Sequence, residues 1–290
     1  MTIYTCIINN LKKKTINDIP KEQLQNIDNE KILRGGIVTE NINILTSKHT
    51  GLGNNLFDIC NLLGYCWDNN LSYSFPDLNL LYSKIKEYPK TAIYHKLPIT
   101  KADKIVKGKK YYYKNFHKYR DKIIDLFNID EDSLKYINNK YSKYFNKITI
   151  SIHVRRGDFV FISERWNKEY IVKKTYHYNA LNYLKTKLNN NDFNILVFSN
   201  DIEWCKVNLI FEDFNVHYVS GNLDYIDLWL MSMCNHNIIE SSTMSWWAAY
   251  LNKNKNKIVI CPKKSIFKER RKLDDNNKNY YPPNWIILNE

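Results

Sequence analysis

An α/β fold with a parallel sheet in its C-terminal half is predicted by two features of the sequence. The apolar strands KITISIHV, NILVFSN, NVHYVS, HNIIES and KIVICP alternate with helical segments such as YHYNALNYLKTKL, DIEWCKVNL, DYIDLWLMSMC and TMSWWAAYLN. Each strand also runs into an unusually polar connection: RRGD, NDIEW, SGNLD and SSTMSWW. Ligands of parallel α/β sheets sit outside the carboxyl ends of the strands, so these connections are where a site is expected.

Taken in order, residues 1–40 hold a possible opening strand, IYTCII, and a polar stretch that reads as an extension. From Asn41 the strand NINIL, the glycine-punctuated turn HTGLGNN and the helical LFDICNLLGYCW make a strand, loop, helix unit. The middle, to Asn146, alternates short helical and extended segments, and Tyr111, Tyr112 and Tyr113 read as an edge strand. The tail YYPPNWIILNE carries a proline turn and an apolar stretch expected to dock. With 290 residues, two α/β domains are expected: 41–146 as an N-terminal lobe and 147–290 as a C-terminal lobe whose tail packs back on the first.

Forty-three Lys and Arg against thirty Asp and Glu leave a charge of +13, which favours anionic ligands. The basic residues are mostly Lys scattered among Asn and Tyr, without a dense arm, so no nucleic-acid partner is expected. The six cysteines show no CxxC pair and no zinc-like His spacing; they read as buried free thiols of a reducing, cytoplasmic compartment, with no metal. The N-terminus makes a poor signal peptide and no run of eighteen apolar residues exists, so no transmembrane segment is expected, only peripheral membrane association at most.

In SIHVRRGDFV an apolar strand runs directly into two adjacent guanidiniums, which are costly to bury without an anionic partner. Arg155 is preferred as a pyrophosphate ligand, because a guanidinium fork matches phosphate oxygens; an Arg–Asp bridge pinning the turn is the alternative. Strand alternation sends Arg156 the other way, to brace the loop, with Asp158 as a partner. In IIESSTMSWWAAYLN a helix opens near Ser242, where Ser or Thr either caps the helix or binds phosphate, and Trp246 and Trp247 are expected to pack. Asp201 reads as a helix N-cap, and Asp224 and Asp227 as helix-start acids, either solvated or able to accept two hydrogen bonds from a guanine edge. The GLG near residue 51 lacks the spacing of a dinucleotide loop or a P-loop.

Together GLGNNLF, HVRRGDFV, FSNDIEWCK and MSMCNHNIIESSTMSWWAAYLN resemble the α-1,2-fucosyltransferases, glycosyltransferase family 11, over roughly residues 50 to 260. The resemblance implies a GT-B-like architecture of two Rossmann-like lobes, with the acceptor at the N-terminal one and the nucleotide sugar at the C-terminal one. It implies an inverting enzyme that moves fucose from GDP-fucose to a glycan hydroxyl, the galactose 2-hydroxyl in that family, with no cofactor and no metal. By the same resemblance Arg155 holds the donor β-phosphate, Arg156 and Asp158 organise the loop, and His153 supports them. Asp227 faces guanine, while Asp201, Ser241, Ser242, Thr243 and Ser245 complete the donor site. Gly51, Gly53, Asn54 and Asn55 form a loop near donor or acceptor, where the family's GGLGNQMFQ reads TGLGNNLFD. The general base is sought among Asp158, Glu164, Glu169 and His153. A same-fold transferase using another nucleotide sugar and an inactive glycan-binding protein are the alternatives.

Overall fold

The computed structural model describes the backbone of residues 5–9, 41–45 and 72–74, and the backbone and side chains of 51–70, 113–165, 171–263 and 280–289. The chain divides into two compact units, Met1–Asn128 and Ile129–Glu290. The division falls before the helix DSLKYINNKY, which thereby belongs with the second unit and not with a lobe ending at 146.

In the first unit β1 (Thr5–Asn9) pairs antiparallel with β2 (Asn41–Leu45), and β2 pairs parallel with β3 (Ser72–Ser74). The parallel pair is joined through α1 (Leu52–Asp68), as a crossover between parallel strands requires. Helix α1 is buried over most of its length, and a Cβ at Gly64 would overlap the backbone carbonyl of Asn115, so only glycine allows that approach. Tyr113 lies not in an edge strand but in a buried 3-10 turn, Tyr113–Asn115, because its ring is drawn into the core beside α1; Tyr111 and Tyr112 are outside the described residues. Helix α2 (Arg120–Leu126) closes the unit.

The second unit begins with α3 (Glu131–Tyr141), capped by the Asp130 carboxylate accepting from the Ser133 N–H at 2.9 Å. Its sheet contains β4 (Ile148–Val154), β5 (Phe193–Ser199), β6 (Asn215–Val219), β7 (His236–Ile238), β8 (Val259–Pro262) and β9 (Ile286–Leu288). All pairs are parallel, in the order β6-β5-β4-β7-β8-β9. The tail strand β9 adds to the β8 edge of this same sheet.

Helices α4 (Gly157–Trp166), α5 (Lys174–Leu188), α6 (Ile202–Asn208), α7 (Asp224–Met233) and α8 (Thr243–Leu251) follow successive strands. Ile150, Ile152, Ile195 and Val197 form one core with Tyr176, Ala180 and Leu184 of α5 and Cys205 of α6. The alternate residues face the other way: Ser151 accepts from Asn237 Nδ2 at 2.7 Å, and the same amide reaches the Met231 carbonyl of α7 at 2.8 Å. Helices therefore cover both faces, which is why β4 and β5 are buried almost throughout, the polar Thr149, Ser151 and His153 of β4 included. Trp246 and Trp247 are fully buried, as packing residues should be; each indole removes on the order of 200 Å² from water.

The sheet order reverses at β4, with β5 on one side and β7 on the other. A crevice forms where strand order reverses, outside the carboxyl ends of the two strands that diverge. The residues there are Arg155 after β4 and Glu240 after β7.

Candidate functional site

Arg155 lies past both ladders of β4, which end at Val154↔Ser199 and Ile152↔Ile238. Its N–H is instead taken by Glu240 Oε2 at 2.8 Å. Its guanidinium pairs with Asp158 at 2.7 Å, one turn along the start of α4, and lies 5.3 Å from the Phe159 ring centroid. Arg155 has a third of its side chain exposed, and its partner Asp158 is itself exposed.

Arg156 is held differently. Its N–H donates to Asn200 Oδ1 at 3.0 Å, its Nε to Asp201 Oδ2 at 3.1 Å, and its guanidinium stacks 3.7 Å from the Trp204 ring. Asp158 is not the partner expected for Arg156: it pairs with Arg155, the bridge that was the alternative reading, and Arg156, beyond the end of β4, braces the loop through Asp201 and Trp204. Asp201 sits at the N-cap position of α6 but makes no side-chain cap; the nearby guanidinium is the stronger partner and takes the carboxylate. Gly157 has φ +31°, which favours glycine, and a Cβ there would push aside the Asn200 side-chain amide that holds Arg156.

Behind the loop His153 is buried. Burial foremost, then the charges of Arg155 and His177, hold its imidazole down at about 3, so it stays neutral and is a poor proton acceptor. Glu164 is exposed on α4, and Glu169 is outside the described residues. Glu240 also reaches His177 Nε2 of α5 at 2.9 Å, both side chains being buried. Sequence reading gave no role to Glu240 or His177 and placed Asn200 only beside a helix cap; the one visible signal for Glu240 was a carboxylate directly after the apolar Ile238 and Ile239.

At the start of α8, Ser242 occupies the N-cap position without a side-chain cap, leaving the first amides of the helix uncapped by it. Ser241 and Ser245 are buried, with Ser245 Oγ donating to the Ser242 carbonyl at 3.3 Å; Thr243 is half-buried. At the end of β6, Asp227 lies in the first turn of α7 and accepts from Asn222 Nδ2 at 2.8 Å. Burial raises its carboxyl to about 6, and Asp224 adds to the rise, while the Asn222 hydrogen bond and Lys140 oppose it. Asn222 Oδ1 in turn accepts from Tyr136 at 2.9 Å, Lys140 at 3.0 Å and Tyr141 at 3.1 Å, all from α3.

Thus the strand ends of the second unit gather Arg155, Arg156, Asp158, Asp201, Asp227, Ser241, Ser242, Thr243 and Ser245, with His153 beneath. The glycine loop belongs to the first unit: Gly51 is exposed, Asn54 half-buried, and Gly53 and Asn55 are buried in α1. Among the described residues no group of three or more His, Cys, Asp or Glu is arranged to hold a metal ion.

Residues 78–289 match the family described as Glycosyl transferase family 11. The chain belongs to that family. An Escherichia coli α-1,2-colitosyltransferase is 37% identical over 48% of this chain and 47% of its own length. The Escherichia coli O-antigen biosynthesis glycosyltransferase WbnK is 36% identical over 50% of each chain. The chain thus spans about half the length of the curated relatives it matches. The solved fucosyltransferase NodZ from Bradyrhizobium shows 13% identity and a TM-score of 0.42, over 69% of this chain and 90% of that one. Membership of family 11 gives the strand-end cluster its context: the matched residues include all of it and leave the glycine loop, at 51–55, outside.

Proposed function

We propose that the protein is an inverting glycosyltransferase of GT-B-like architecture that moves fucose from GDP-fucose to a glycan hydroxyl, the galactose 2-hydroxyl, without a metal. The observation that carries this reading is Arg155: a guanidinium at the reversal of the sheet, its backbone clamped and its side chain partly exposed beside the start of α4. In the reaction the acceptor oxygen forms a bond to C1 of the sugar as the C1–phosphate bond breaks, with inversion. The acceptor proton passes to a base, for which exposed Asp158 and Glu164 are better suited than neutral, buried His153. Negative charge gathering on GDP is met by the Arg155 fork and by the amides opening α4 and α8. Displacing Asp158 onto the acceptor would free Arg155 for the β-phosphate.

Asp227, as a carboxylate, accepts two hydrogen bonds from the guanine edge, and Ser241, Ser242, Thr243 and Ser245 line the phosphate or ribose side. Asp201 acts through Arg156. The first unit, with Gly51, Gly53, Asn54 and Asn55 at its glycine loop, takes the acceptor. Five buried, unbridged thiols among the described residues support a reducing compartment such as the cytoplasm.

A second reading, in which the same site transfers colitose, is favoured by the 37% identical relative of that specificity. Grip on the diphosphate does not choose the sugar. GDP release from a panel of nucleotide sugars, with galactosides and with or without EDTA, tests the proposal. Release from GDP-fucose undiminished by EDTA is expected; release only with another donor would overturn the fucose assignment, and loss with EDTA the metal-free mechanism.

A further inference from the structure

Glu240 is a carboxylate 2% exposed at the end of β7, in a place where isolated negative charge is costly. Nearby backbone carbonyls are already satisfied, since the Tyr176 hydroxyl donates to Ile239 O at 2.7 Å and lies 3.0 Å from Ile260 O. The carboxylate has two partners from two other elements: the Arg155 N–H just beyond β4 and His177 Nε2 on α5. An apolar residue of similar size would fill this position at less cost, so stability alone gives no reason for the charge. What an apolar residue cannot do is accept the Arg155 N–H, which has run past the last rung of the sheet and needs an acceptor.

We infer that Glu240 is a positioning residue for the donor diphosphate, fixing the backbone of Arg155 so that its guanidinium is aimed before the ligand arrives. The inference rests on the donor reading above and adds a residue to it. Glu240 touches no substrate; it acts through Arg155. His177 Nε2 lies 2.9 Å from the second carboxylate oxygen, Oε1, while Oε2 accepts from the amide. The clamp spans the reversal of the sheet, so it also ties β4 to β7 where their ladder has ended. Rigidity at that joint matters because a misplaced guanidinium forfeits the hydrogen bonds that form only with phosphate in place.

The test uses the full chain with Glu240→Gln, Glu240→Asp and Glu240→Met, and with Asn252→Ala as a control. Asn252 is buried and donates to Cys234 O at 2.7 Å and Asn237 Oδ1 at 2.8 Å, so its loss is expected to destabilise the same part of the sheet while the Glu240–Arg155 hydrogen bond stays in place. Two quantities are read: hydrogen exchange of the Arg155 amide, and GDP affinity by calorimetric titration. Glu240→Gln is expected to preserve both, since its amide oxygen accepts from Arg155 and its amide N–H turns to His177. Glu240→Met is expected to lose protection at Arg155 and about 10- to 100-fold in GDP affinity, the span of one hydrogen bond made by a charged partner. Glu240→Asp, with the carboxylate drawn back by one methylene, is expected to weaken both in the same direction, and it carries the test where Glu240→Met does not fold. Asn252→Ala is expected to lower the melting temperature while GDP affinity holds. Undiminished GDP affinity in Glu240→Met or Glu240→Asp, or a loss matched by Asn252→Ala, overturns the inference. Absence of GDP binding by the unsubstituted protein overturns the donor reading instead, and the Arg155 exchange rate then still decides whether Glu240 clamps the amide.

Discussion

The ends of β4 and β6 are both polar clusters on one sheet, yet they are built on opposite principles. At β4 the functional group is a permanently charged guanidinium, and the structure around it controls position: Glu240 takes the Arg155 amide, Asn200 takes the Arg156 amide, and Gly157 makes room for Asn200. At β6 the functional group is a carboxyl raised to about 6, mainly by burial, so its surroundings control protonation as well as place. The first site should respond to geometry and hardly to pH near neutrality. The second should respond to both.

The largest effect that separates them is expected from Gly157→Ala. A methyl group there displaces Asn200 and strains a φ of +31°, so the Arg156 amide loses its acceptor. GDP affinity should fall about 10- to 100-fold, evenly from about pH 5.5 to 8, because an amide hydrogen bond is lost, local strain is added and no titrating group is touched. A loss confined to the acid side would break the comparison. Asp227→Asn comes next: an amide presents one acceptor where the carboxylate presents two, and GDP affinity should drop about tenfold at neutral pH. The unsubstituted protein should bind GDP more weakly as pH falls through about 6, since the protonated carboxyl no longer accepts both bonds, and the variant should lose that dependence.

A smaller effect sharpens the point. Lys140 opposes the raised Asp227 carboxyl, so Lys140→Met should move the acid limb of GDP binding to higher pH while the neutral-pH affinity changes little. An unmoved limb would show that Asp227 does not set it. A different readout, stability, is expected to move with His153, whose imidazole titrates near 3 when folded against 6.5 ordinarily. Between those values the unfolded chain binds the extra proton, so stability falls as pH drops below about 6.5, by up to about 1.4 kcal/mol per pH unit for one such group. His153→Gln should therefore show a shallower fall in melting temperature between about pH 7 and 5 than the unsubstituted protein.

Much of the sheet was legible because β4 and β5 are short stretches rich in Ile, Leu, Val and Phe, buried on both faces, while the helices between them keep polar residues. The order of the strands was not, since nothing local in HNIIES says that it returns beside β4, and the strand-like IIL of the tail does not say which edge it joins. Arg155, Arg156 and Asp158 stood out as charges against an apolar strand. Their partners did not: Glu240 is 85 residues from Arg155 and Asp201 is 45 from Arg156. Asp201 itself carried a sound local expectation, the helix cap, which a distant guanidinium displaced. Tyr113 looked like a strand residue by propensity, and burial beside α1 made it a turn.

The central claim is that Arg155 grips the diphosphate while Arg156 braces the loop, and titration of GDP into the unsubstituted protein and Arg155→Ala tests it most directly. The account predicts binding by the first, and in the second a loss of about 100-fold or more, the scale of a charged bidentate contact, with the melting temperature nearly unchanged. Near-equal GDP affinity in the two proteins would contradict it.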